Sequence, residues 1–111
     1  RRDFTDVRDM TRAYALALEH CEPGRAYNIA SGVVRSVQEL LDKLIELSHT
    51  DVNVEVDPER MRSASTPAPM ADCTRFRTHT SWQPKIPFEQ TLTDLLNYER
   101  DRLKTQTKEQ A

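Results

Sequence analysis

The chain has 111 residues, 37% of them apolar and 31% charged, with a formal net charge of −2 and a pI near 5.9. That length allows one small domain, and the near-neutral balance excludes a general nucleic-acid binder, whose footprint is a basic face and a pI above about 9. The longest uninterrupted apolar run, Ala13 to Leu18, has six residues against the roughly 20 that cross a bilayer, so no membrane span is predicted.

Val7, Met10, Tyr14, Ala17 and Leu18 recur at three- and four-residue steps, which predicts a helix from about Asp6 to Cys21 with this stripe inward. Asp6 is its cap and Asp9 lies near its positive end. Pro23-Gly24 stops the helix, and Ala26 to Ala30 (AYNIA) reads as a short strand with Tyr27 and Ile29 on one face, closed by a Ser31-Gly32 turn. Ser36 and Glu39 form a capping box. The helix it opens carries Val37, Leu40, Leu41, Leu44, Ile45 and Leu47 to about Ser48, a face wide enough to predict burial along one side.

Val52, Val54 and Val56 alternate with polar residues and predict a half-buried strand. Residues 58–69 hold prolines and few apolar side chains, the composition of a surface loop. Asp72 is placed to cap a short helix through Phe76, and Trp82 and Pro84 lead irregularly to a last helix with Pro87 in its first turn and a stripe from Phe88 to Leu103. Residues 104–111 lack an apolar period and read as a disordered polar tail, leaving 1–103 as the folded portion. Two short strands do not make a stable sheet alone, so they call for partners from elsewhere. The opening on Arg1, with no leader pattern, reads as the interior of a longer protein.

Only Gly24 and Gly32 are present, so these residues contain neither a dinucleotide-binding glycine loop nor a P-loop. Tyr14, Tyr27 and Tyr98 are followed four residues later by Leu18, Ser31 and Arg102, so there is no Tyr-x-x-x-Lys pair for acid/base work. His20, His49 and His79 are scattered, without metal-ligand spacing. Cys21 and Cys73 lack CxxC spacing and read as reduced thiols of a cytoplasmic protein. No catalytic, cofactor-binding or metal-binding residue is therefore assigned. Arginine remains: Arg60, Arg62, Arg75 and Arg77 form a locally basic stretch opposed only by Asp72, and Arg1-Arg2 precede the first helix. Guanidinium forks suit phosphate oxygens, but solvated arginines pairing with Asp57, Glu59 and Asp72 fit the same spacing, and both readings stand at this level.

Read in order, RRDFTDVRDM, PGRAYNIASG, RSVQELLDKL, DPERMR and WQPKIPFEQTL resemble the C-terminal third of extended short-chain dehydrogenase/reductases, the NAD-dependent epimerase/dehydratase family. The likeness is greatest to GDP-mannose 4,6-dehydratases and GDP-4-keto-6-deoxymannose reductases, and it covers residues 1 to 103. It implies an α/β fold class: the substrate-domain portion of an extended Rossmann-type enzyme, mostly helical with a few short strands, with AYNIA joining the edge of the parallel sheet. The family's glycine loop and its Ser/Thr, Tyr and Lys catalytic residues lie upstream of the matching segment, so NADP or NAD would be bound by an N-terminal part.

The same resemblance implies a GDP-sugar as substrate, the N-terminal Rossmann portion of the same enzyme as partner, and a homo-oligomer when intact. In related enzymes two arginines approach the substrate diphosphate, and the matching positions are Arg2 and Arg62. The second motif departs from the family pattern: Ser63 stands where a proline is usual, and Ser65 where an acidic residue holds the ribose. The implied activity is that of a dehydratase segment in deoxysugar biosynthesis, not active alone. The alternatives are the same segment of a reductase, or a non-catalytic sugar-nucleotide-binding module.

Overall fold

The computed structural model describes residues 1–61 and 70–110. Its helices start where side chains satisfy the amides that a helix end leaves free. Helix α1 (Val7–His20) is capped by Asp6, whose carboxylate accepts from the Arg8 amide at 2.8 Å. Helix α2 (Val37–Ser48) carries the full capping box, in which the Ser36 hydroxyl accepts from the Glu39 amide at 3.0 Å and the Glu39 carboxylate accepts from the Ser36 amide. A single 3-10 turn, Pro58–Arg60, follows, then helices α3 (Thr74–Thr80) and α4 (Phe88–Gln110). The strands β1 (Arg2–Asp3) and β2 (Val34–Arg35) pair antiparallel, Arg2 opposite Arg35 and Asp3 opposite Val34.

The core is built on aromatic side chains. Phe76 of α3 and Trp82 meet edge to face at 5.8 Å, with Ala13 of α1 beneath them, and Tyr27 adds its edge to Phe76 at 6.3 Å. Trp82 is thus a core residue, consistent with the large apolar area an indole removes from water. This core is small for the chain. The radius of gyration is 18.0 Å, against about 13 Å for a compact domain of 100 residues.

Several expectations are corrected. The inward face of α1 is Asp9 and Ala13, with Met10, Leu16 and Ala17 packed alongside. Val7, Tyr14 and Leu18 point out, Leu18 at 90% exposure. Asp9 sets this rotation, because its carboxylate bonds to backbone amides across the fold. Helix α2 has no fully buried residue; its main packing partner is α4. AYNIA alternates as expected, with Tyr27 and Ile29 half-buried, but forms no ladder, and residues 52–56 are exposed and unpaired. A strand needs a neighbour for its amides and carbonyls, and no described residue forms a ladder with either segment.

Helix α3 runs past Phe76 to Thr80, and its N-cap position is Cys73, while Asp72 accepts from the Thr74 amide at 3.0 Å. In place of a disordered tail from 104, α4 continues to Gln110. Lys, Gln and Glu are good helix formers without any packing, and the Thr105 and Thr107 hydroxyls bond back to the carbonyls of Asp101 and Leu103. Among the described residues no helix is long and apolar enough to cross a membrane.

Candidate functional site

Aspartates stand at positions 3, 6 and 9, and each ties a different distant segment to the unit formed by β1 and the start of α1. The Asp3 carboxylate accepts from the Ser31 amide at 3.0 Å, the Ser31 hydroxyl at 2.8 Å and the Gly32 amide at 2.8 Å. Gly32 itself has φ +85°, a conformation that strains a residue carrying a Cβ. Asp6 accepts two bonds from the Arg8 guanidinium, at 3.0 and 2.8 Å, and one from the Thr91 hydroxyl of α4 at 2.7 Å. Asp9, almost wholly buried, accepts from the Lys85 amide at 3.1 Å and the Ile86 amide at 3.0 Å, and pairs with Arg12 at 3.1 Å.

These bonds set the charge states. Burial pushes the Asp3 and Asp9 carboxyls up, but the Ser31 hydroxyl and amide bonds at Asp3, and the Ile86 and Lys85 amides at Asp9, outweigh it and hold both below the usual carboxylate range. For Asp6 the Arg8 guanidinium is the dominant cause, and it holds the carboxyl far below that range. All three are therefore anionic at neutral pH, and each holds its distant partners through these bonds.

What the anchors position is the two-stranded ribbon. Arg2 is exposed on it. The facing Arg35 lays its guanidinium over the Phe88 ring, 4.4 Å from the centroid, and Phe4 meets the same ring at 6.1 Å. Between the ribbon, the segment 84–87 and α4 lies a cleft of about 460 Å³, lined by Phe4, Val33, Arg35, Ile86, Phe88 and Leu92 among others.

Of the three residues expected to contact substrate, the structure places Arg2. Arg62 and Ser65 lie outside the described residues. The other basic residues of that stretch have separate tasks. Arg60 is exposed and pairs with Asp57 at 3.5 Å, Arg75 donates to the Ala26 carbonyl at 3.3 Å, and Arg77 donates to the Ser31 carbonyl at 3.1 Å. The expected pairing with nearby acids thus describes Arg60 and not Arg77, which braces the same Ser31-Gly32 turn that Asp3 holds. Asp6 and Asp9 were legible as helix-start residues, while their carboxylates' partners 76 or more residues away had no sequence signal. Arg35 had none either, because its place opposite Arg2 depends on strand register.

Cys21 and Cys73 are free thiols, and among the described residues no group of three or more His, Cys, Asp or Glu side chains is placed to hold a metal. Gly24 and Gly32 both have positive φ, at 81° and 85°.

Comparison with known proteins agrees with the geometry. The GDP-mannose 4,6 dehydratase family matches residues 1–95. The GDP-6-deoxy-D-mannose reductase of Pseudomonas aeruginosa is 34% identical over 96 residues, covering 86% of this chain and 32% of the reductase. The human GDP-mannose 4,6 dehydratase is 23% identical over 124 residues, covering 95% of this chain and 33% of that enzyme. The structure of RMD from Pseudomonas aeruginosa complexed with NADPH superposes with a TM-score of 0.84 at 32% identity, over 91% of this chain and 33% of that one. The chain therefore spans about a third of the length of the relatives it matches. It belongs to the GDP-mannose 4,6 dehydratase family of extended short-chain dehydrogenase/reductases, as a C-terminal portion of their Rossmann-type fold.

Proposed function

We propose that this chain is the nucleotide-sugar-binding portion of an NAD(P)-dependent GDP-mannose 4,6-dehydratase-like enzyme of deoxysugar biosynthesis. The observation that carries this reading is Arg2: an exposed guanidinium on a ribbon that Asp3 braces, within a chain whose residues 1–95 match the family. A guanidinium held on a rigid element meets a diphosphate in two-point geometry with little ordering cost. Arg62 is its proposed counterpart on the same diphosphate, and Ser65 the residue at the ribose. The bound cofactor would supply hydride storage, and its cradle falls to the N-terminal Rossmann portion. That portion also offers AYNIA a sheet edge and gives the outward stripe of Val7, Tyr14 and Leu18 a surface to cover it. GDP-sugar binding and homo-oligomerisation of the intact enzyme belong to the same proposal.

The second reading, a GDP-4-keto-6-deoxymannose reductase, is favoured by one observation: identity to the bacterial reductase is 34%, and to the human dehydratase 23%. One assay of the intact enzyme separates the two. A dehydratase converts GDP-mannose to a 4-keto product with no net consumption of NADPH, whereas a reductase consumes NADPH and requires the 4-keto sugar as substrate. An intact protein that binds GDP-sugars but turns over neither would be a non-catalytic module, and one that binds none would overturn the assignment.

A further inference from the structure

Arg2 and Arg35 face each other directly across the antiparallel ribbon. Residues so paired project to the same side, with Cβ atoms about 5 Å apart, and two like charges in that position repel. Among the described residues the arginines in ion pairs are Arg8, Arg12, Arg25, Arg60 and Arg102; Arg2 and Arg35 are not among them. Of the acids that line a groove with Arg35, Glu39 feels the charges of Arg1 and Arg35 but has its carboxylate committed to the Ser36 amide in the capping box, Asp42 accepts from Gln38, and Glu46 and Glu89 pair with Lys43. Among the described residues the ribbon therefore holds two adjacent guanidinium groups with no carboxylate in ion-pair contact with either.

Arg35 is also held by an aromatic contact. Its guanidinium lies at 4.4 Å from the Phe88 ring centroid, and stacking occupies the flat faces of a guanidinium while leaving its in-plane N–H groups free to donate. It stands at the mouth of the cleft that also takes in Phe4 and Phe88. An anion placed between the two arginines would relieve their repulsion and gain donors from both.

We propose that Arg35 is a further diphosphate-binding residue beside Arg2 and Arg62, acting with Arg2 across the ribbon and oriented by Phe88. This rests on the nucleotide-sugar reading of Arg2 given above. The test uses the intact enzyme, with GDP and GMP as probes, calorimetric Kd values and thermal melts. Arg35→Gln is expected to raise the Kd for GDP about tenfold and that for GMP clearly less, with the melting temperature unchanged. Phe88→Leu, which keeps both charges but removes the stacking platform, is expected to weaken GDP in the same direction. If Arg35→Gln leaves GDP affinity intact while Arg2→Lys weakens it, Arg35 is not at the diphosphate and the reading of Arg2 stands. If neither variant changes GDP affinity, the reading of Arg2 itself fails. Equal losses for GDP and GMP together with a lower melting temperature would show that Arg35 serves the packing of Phe88, and would overturn the inference.

Discussion

The Trp82 indole donates its Nε1–H to the backbone carbonyl of Asp9 at 3.0 Å, 73 residues away in the chain. The Asp9 carboxylate, in turn, accepts the Lys85 and Ile86 amides just beyond Trp82. One residue of α1 thus fixes both the indole and the turn that leads into α4. Replacing Asp9 by Ala leaves two backbone amides without their acceptor, each costing about 1–3 kcal/mol, so a loss of roughly 3 kcal/mol is expected. Asp9→Asn, which keeps one acceptor oxygen, should lose about half as much. Urea unfolding followed through Trp82, the only tryptophan, measures both, and equal stability of wild type and Asp9→Ala would refute the anchoring role.

Acid should loosen the same framework. Asp3, Asp6 and Asp9 have folded pKa values below the ordinary one, whereas the unfolded chain titrates them near 3.9. A lowered folded pKa contributes stability that is complete above the unfolded value and is lost as pH falls through the folded one. The melting temperature should therefore hold between pH 7 and pH 5 and drop below about pH 4. Asp6→Asn should melt lower at pH 7 and show a shallower acid decline. A wild-type melting temperature that stays constant down to pH 2 would contradict the charge states assigned here.

At the proposed diphosphate site, Arg2→Lys and Arg62→Lys should each raise the Kd of the intact enzyme for a GDP-sugar roughly tenfold, about 1.4 kcal/mol. Lysine retains the charge but not the planar fork. Arg60, exposed and paired with Asp57, should accept lysine without effect. Ser65→Asp should tighten the same ligand several-fold, because a charged acceptor at a ribose hydroxyl is worth about 1.5–3 kcal/mol against roughly 1 for a neutral one. Unchanged affinity in the Arg2 and Arg62 variants would remove them from the site.

Ser81 ends α3 in the left-handed conformation, at φ 59°, with its amide bonded to the Arg77 carbonyl at 2.8 Å. This closing position favours glycine, which has no Cβ to clash. Ser81→Gly should therefore stabilise the protein by about 0.5–1 kcal/mol, offset in part by the greater freedom of the unfolded chain. The melting temperature should rise by a few degrees, and Ser81→Val should lower it. A Gly variant that melts below wild type would mean that the Ser81 side chain makes a contact outweighing its backbone strain.

The family resemblance of five ordered motifs and the local chemistry of the helix starts were set by the sequence alone. Asp6 as a cap and the Ser36–Glu39 box follow from residues within four positions of one another, and such contacts form wherever the backbone turns helical. Tertiary structure decided which side of α1 is inward, because the amides of Lys85 and Ile86 outweigh the apolar stripe that periodicity favoured. It also decided that Arg35 faces Arg2. That pairing depends on how a two-residue strand meets another 32 positions away, and a register shift of one residue would send the side chain to the opposite face. The segments 26–30 and 52–56 show the converse: their alternation is legible, but a ladder requires a neighbouring strand, and local pattern does not supply one.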